Sequence, residues 1–144
     1  MNSRISYFCL TAILALMANC TKEKETKHDY PRVVTGQVIN VHAGGATFNG
    51  TFLHVGKGEI IDHGFVFGSS YMLSIQSNQH ISLGKSSGKG SFTATASYAL
   101  TTGYTYYVSA YARNDDKTFY AEPVSFVCFE EALPKVSDIN HSSF

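Results

Sequence analysis

LTTGYTYYVSAYARND, residues 100–115, decides the fold. In a strand, successive side chains point to opposite faces. On that period Tyr104, Tyr106, Val108, Ala110 and Ala112 share one side, and Thr105, Tyr107, Ser109, Tyr111 and Arg113 share the other. The first set reads as a core face. The second carries the charge and most of the hydroxyls, and it reads as the outward face. Tyr, Thr and Val favour strands because their stiff or broad side chains pack well on a pleated surface. Asn114-Asp115-Asp116-Lys117 then closes the strand as a hairpin turn, where Asn and Asp tolerate the required backbone angles. At the other end, Leu100 stands six residues before Tyr106, across a Thr-Thr-Gly turn.

Outward from this strand the same pattern repeats. Strands are expected at 33–41, 45–55, 59–68, 71–75, 79–84, 91–99, 104–113 and 118–128. HAGG, GKGE, GKSSGKG and NDDK mark the breaks. No window sustains a 3.6-residue period, so no helix is expected. Seven or eight short strands, with turns every 8–12 residues, predict an all-β, two-sheet antiparallel β-sandwich.

The Leu100–Tyr106 spacing resembles the tyrosine corner of fibronectin type III and related immunoglobulin-like domains. The resemblance gives Leu100 and Tyr106 a structural role, with the tyrosine hydroxyl bonded back to the backbone near the turn. Thr102-Gly103 stands where Pro-Gly is usual. ATFNGTFLHVGKGEIIDHGFVFGSS (46–70) resembles the second strand, turn and third strand of fibronectin-type modules in Bacteroidota lipoproteins. Gly64, Phe65, Val66 and Phe67 match their Gly-Phe-Val-aromatic run, and TFYAEPVSFV (118–127) resembles their last strand. The resemblance covers 32–129. The chain lacks the tryptophan that many such domains carry, and Phe48 or Phe52 is expected to fill that volume. The tail, 130–144, resembles the opening of a following domain, which leaves open that the chain is a piece of a longer protein.

The N-terminus addresses localisation. Arg4 precedes an uncharged apolar run, 5–18, too short to cross a bilayer core that needs roughly 20 residues. This is the layout of a secretory signal. Met17-Ala18-Asn19-Cys20 resembles a bacterial lipoprotein box, with Met17 and Asn19 departing from the usual residues. It implies cleavage before Cys20 and a diacylglycerol on its sulfur, a membrane anchor. TKEKETKHD (21–29) has no apolar residue and reads as a tether. Lys22, Glu23, Lys24 and Glu25 resemble a surface-export signal. The expected organisation is a signal peptide at 1–19, a lipidated Cys20 with a charged tether to 31, a sandwich at 32–129 and a tail. The expected location is the outer membrane, facing outward.

Eleven basic and eleven acidic residues balance in the 144-residue chain. Without 1–19, whose only charge is Arg4, the net charge is −1. Nothing forms the basic stripe that a nucleic-acid partner demands. Cys9 and Cys20 lie outside the sandwich, so Cys128 has no partner within it and reads as a small buried hydrophobe.

Catalytic signals are weak. In GKSSGKGS (84–91), Gly88 follows Gly84 after three residues, where a P-loop needs four before Gly-Lys-Ser/Thr. His28, His42, His54, His63, His80 and His141 form no ligand-spaced pair, so no metal site is expected, and no cofactor. Asp62-His63 lacks a nucleophile elbow, and neighbours on a strand diverge. Asp115 and Asp116 alone are too few ligands for calcium. What remains is surface. Tyr107, Tyr111 and Arg113 form an outward aromatic stripe with a charged end, suited to stacking on a sugar or a protein. Outer tyrosines also simply suit strands. The expected role is a non-catalytic binding module for a glycan or surface protein; the alternatives are a structural spacer or a fragment of a larger surface lipoprotein and, last, an unrecognised enzyme with Asp62 or His63 as its first candidates.

Overall fold

The computed structural model describes residues 29–129, and none of these is helical. The expected signal peptide, Cys20, most of the expected tether and the tail lie outside the described residues. Nine strands follow in order: β1 (Arg32–Thr35), β2 (Ile39–His42), β3 (Gly45–His54), β4 (Asp62–Gly68), β5 (Gln79–Ser82), β6 (Gly90–Ser97), β7 (Thr105–Arg113), β8 (Thr118–Tyr120) and β9 (Val124–Val127). They form two antiparallel sheets packed as a β-sandwich. In the first, β1 and β2 lie along one side of β3, and β6 lies along the other. In the second, β5, β4 and β7 are neighbours in that order, with β8 and β9 along the far side of β7.

Two expected strands are each broken into two, for local reasons. The 33–41 run breaks at Gly36, whose N–H donates to the Asn49 carbonyl at 2.6 Å. A Cβ there would sit 3.1 Å from that oxygen. Beyond the break, Asn40 takes a left-handed φ of 51°, which Asn tolerates better than most residues. The 118–128 run breaks at Ala121-Glu122-Pro123, because proline has no N–H to give a ladder. The 59–68 strand begins only at Asp62, with Ile60 making a lone bridge to Ser86.

The expected strand at 71–75 does not form. Residues 69–78 leave the sheet and turn on themselves. The Ser74 carbonyl accepts from Ser77 N–H at 3.1 Å and Asn78 N–H at 2.9 Å, while Asn78 Oδ1 accepts from Ser74 N–H at 2.9 Å. These local bonds replace a ladder.

Phe48 sits at the centre of the core. Its ring centroid lies 5.7, 5.1 and 5.7 Å from those of Phe65, Phe67 and Phe126. Val108, Ala110, Ala112 and Cys128 are fully buried around this cluster. Burying a phenylalanine contributes about 1.5–3 kcal/mol, so Phe48 supplies the bulk that the chain lacks in tryptophan. Tyr106 points inward beside it, stacked on Phe126 at 5.8 Å. Its hydroxyl accepts from Thr101 N–H at 2.9 Å, next to the buried Leu100. Tyr104, expected on the core face, precedes β7 and is 62% exposed.

Candidate functional site

The outward face of the second sheet carries the chemistry. There Asp62, Gly64, Val66 and Gly68 of β4 stand opposite Arg113, Tyr111, Ser109 and Tyr107 of β7. An exposed stripe of Tyr107, Tyr111 and Arg113 is not what this face presents. Tyr111 is fully buried. It lies opposite Gly64, which has no side chain, so the ring lies across β4 and its hydroxyl donates to Asp62 Oδ2 at 3.0 Å. Tyr107 is half-buried, with Tyr71 of the 69–78 segment edge-on to it at 5.6 Å. Arg113 alone is exposed.

Segment 69–78 is held down over this face by hydroxyls. Tyr71 donates to Glu122, and Tyr120 accepts from Ile75 N–H at 3.2 Å. The bond to Glu122, above all, raises the Tyr71 hydroxyl above its ordinary pKa.

Asp62 gathers three donors. Oδ1 accepts from Ser82 Oγ at 2.6 Å and from Gly84 N–H at 3.1 Å, and Oδ2 accepts from Tyr111. Burial first, and then the bond to the Asp62 carboxylate, push the Tyr111 hydroxyl well above its ordinary pKa. His63 points the other way, into the core. Its ring lies 4.9 Å edge-on from Phe92 and 5.5 Å from Phe52. Nδ1 donates to the Gly84 carbonyl at 2.7 Å. Asp62 and His63 therefore pin the same residue from two faces, and they do not converge on one reacting atom.

Beside Tyr111 opens a groove of about 540 Å³, between segment 69–78 and the β7–β8 hairpin. Gln76 lines one wall; Arg113, Asn114, Asp116, Lys117 and Tyr120 line the other. The hairpin wall is locally braced. Asn114 Oδ1 accepts from Asp116 N–H at 3.1 Å and Lys117 N–H at 3.0 Å. Asp115 is also on the lining, while the Lys117 ammonium sits over the Phe119 ring at 4.9 Å. The lining is polar and suits a polar ligand. Tyr120, 39% exposed, offers a ring on which such a ligand can stack. Around the corner, Tyr30 stacks on Phe119 at 5.8 Å beside a depression of about 280 Å³.

The remaining sequence candidates fall elsewhere. In the GKSSGKGS stretch, Lys85 pairs with Glu59 at 3.0 Å, and β6 rather than a helix follows. Among the described residues, no three His, Cys, Asp or Glu side chains are placed to hold a metal. Of the three residues expected to bind a ligand, only Arg113 reaches the groove. Tyr120, Lys117 and Gln76 were not anticipated. One signal pointed to Tyr120: Pro123 marks a break in the last strand, which frees β8 to pair with β7 by itself.

No protein-family model matches the chain, and no curated protein matches it. Among solved structures, it is similar to a DUF3823 family protein from Bacteroides uniformis, with 14% identity and a TM-score of 0.57. That match covers 69% of this chain and 56% of the other, so the chain spans little more than half of that neighbour. It is also similar to the sensor domain of the anti-sigma factor RsgI4 from Pseudobacteroides cellulosolvens, at 13% identity and a TM-score of 0.54. There the match covers 70% of this chain and 96% of the other. At such identities the likeness is one of fold: an antiparallel β-sandwich shared with both.

Proposed function

We propose that the chain is a non-catalytic envelope protein, anchored by lipid on Cys20, whose fibronectin type III-like sandwich binds a glycan or protein at the cell surface. The groove at Arg113 and Tyr120 carries this reading. It joins a stacking ring to planar, hydrogen-bonding side chains, which is the chemistry that recognises sugar rings and polar peptides. The strand arrangement supports the finer fold assignment. Counting β1 with β2 and β8 with β9, seven strands remain, three in one sheet and four in the other. The two neighbours, one from Bacteroides and one named a sensor domain, suit an exported binding role.

The test is a glycan array and an envelope pull-down with the unlipidated Cys20→Ser chain, beside an Arg113→Ala/Tyr120→Ala variant. Saturable binding that is lost in the variant is expected. Binding that survives the variant removes the groove from the reading. No binding in either assay turns the reading toward a spacer that holds other partners off the membrane. Protease shaving of intact cells checks the outward orientation, which fails if the sandwich stays protected.

A further inference from the structure

The four sheet edges are not equally protected. The β1–β2 edge is broken at residues 36–38 and bent at Asn40, and the β8–β9 edge is broken at Pro123. β5 has only four residues. Such interruptions are how sheets avoid unwanted pairing. β6 has none of them. It runs eight residues, GSFTATAS, with no charge, proline or bulge, and among the described residues it pairs with β3 alone.

The parity of its free groups is fixed. Tyr98 N–H donates to the Gly44 carbonyl, so even-numbered residues turn their backbone toward β3. Ser91, Thr93, Thr95 and Ser97 therefore turn their N–H and C=O groups outward, and all four are exposed. Phe92 faces the core yet is only half-buried, as expected beside an open edge.

What fits there is limited by the other sheet. β1 packs across β7 and β8, and β6 packs across β4, so β5 lies at the margin of the overlap. Its inward residue is Ile81, half-buried; just past its end Leu83, 38% exposed, continues the same parity and bonds to the His63 carbonyl at 2.8 Å. A strand added to β6 at the usual ~4.8 Å spacing would lie over β5 and cover both. A second folded copy paired antiparallel through β6 would bring its own β4 beneath its own β6, into the place that β5 already occupies.

We infer that β6 and the overhanging β5 form an acceptor site for one extended polypeptide segment of a partner, uncharged, with small or apolar residues on its inward side. Backbone bonds to Ser91, Thr93, Thr95 and Ser97 supply the affinity, and the Ile81–Leu83 floor selects the alternating side chains. The site stands apart from the groove and does not depend on it.

The β6 sequence is nearly symmetric about Ala94, which makes it a rational probe. An antiparallel peptide GSFTATAS sets Thr against Thr, Ser against Ser and the central Ala against its copy, with Phe opposite Ala on either side. N-methylation at its Phe and Ala positions leaves only one pairing edge. Titrated into the full Cys20→Ser chain, it is expected to bind saturably and to slow amide exchange at Ser91, Thr93, Thr95 and Ser97. Thr95→Pro removes an outward N–H together with the Thr95–Thr47 hydroxyl bond at 3.1 Å, keeps every backbone bond to β3, and should weaken binding by about tenfold or more; Thr95→Val, which loses the hydroxyl alone, should bind as the native chain does. Leu83→Asp, at an exposed position, should weaken binding independently. The inference is overturned by absent saturation at millimolar peptide, or by equal binding to Thr95→Pro. It is also overturned if the chain itself forms a dimer that Thr95→Pro abolishes, since a second copy would then be the occupant.

Discussion

Replacing Asp62 with alanine strands three donors at once. A hydrogen bond to a charged group contributes about 1.5–3 kcal/mol, and an orphaned buried donor costs about 1–3 kcal/mol. The three donors are not equal. Ser82 is exposed and Gly84 half-buried, so water takes over much of their loss. The Tyr111 hydroxyl is buried and has no such recourse. Asp62→Ala should therefore cost about 2–4 kcal/mol, dominated by Tyr111. Asp62→Asn keeps one oxygen for Ser82 and Gly84, and its amide can donate to the tyrosine oxygen, so it should cost about 1–2 kcal/mol. Tyr111→Phe removes the orphan itself. The double variant Asp62→Ala/Tyr111→Phe should thus be less destabilised than the sum of the singles, by about 1 kcal/mol or more. Urea unfolding of the native chain and these four variants measures every term. Simple additivity, or an Asp62→Ala cost within about 0.5 kcal/mol of zero, would refute the claim that this carboxylate organises the face.

Three further outcomes are expected. Because the folded state raises the Tyr111 pKa above its ordinary 10.0, the folded chain keeps that proton longer than the unfolded one. The resulting stability is fully present below about pH 10 and is lost as pH rises toward the folded value, so urea midpoints should fall above pH 10, less steeply in Tyr111→Phe. Gly64→Ala places a Cβ 1.9 Å from the Ile81 carbonyl oxygen, so β4 and β5 must separate. Circular dichroism melts should show a loss of more than about 3 kcal/mol, and a near-native melt would contradict the pairing at that position. Phe48→Ala empties the centre of the aromatic cluster and should cost about 3–5 kcal/mol in the same assay. A cost near 1 kcal/mol would mean that the core closes around the gap.

Period-two alternation made the sheets readable, because one face of each long strand must be buried. It placed Val108, Ala110 and Ala112 in the core and Tyr107, Tyr111 and Arg113 on the other side. It could not say what lies on that other side. YMLSI, 71–75, is a short, mostly apolar run of strand length, with no glycine or proline to warn otherwise. Its course is set by bonds at Ser74 and Asn78, and by tyrosines from distant strands. That segment covers the face on which an exposed stripe was expected. The groove was illegible for the same reason, since Gln76 and Tyr120 meet only after the cover closes. Arg113 was legible because it ends its strand, beyond the reach of the cover.

The double grip on Gly84 has a consequence for how the chain assembles. Residues 83–89 carry the backbone from the second sheet to the first. Gly84, the second of them, is held by consecutive residues of β4, one from each side of its sheet. Neither grip forms until β4 has settled with one face inward. A late crossover is therefore expected, with β6 docking after it. In kinetic terms, contacts that form late lie beyond the transition state, so weakening Asp62 or His63 should speed unfolding more than it slows folding.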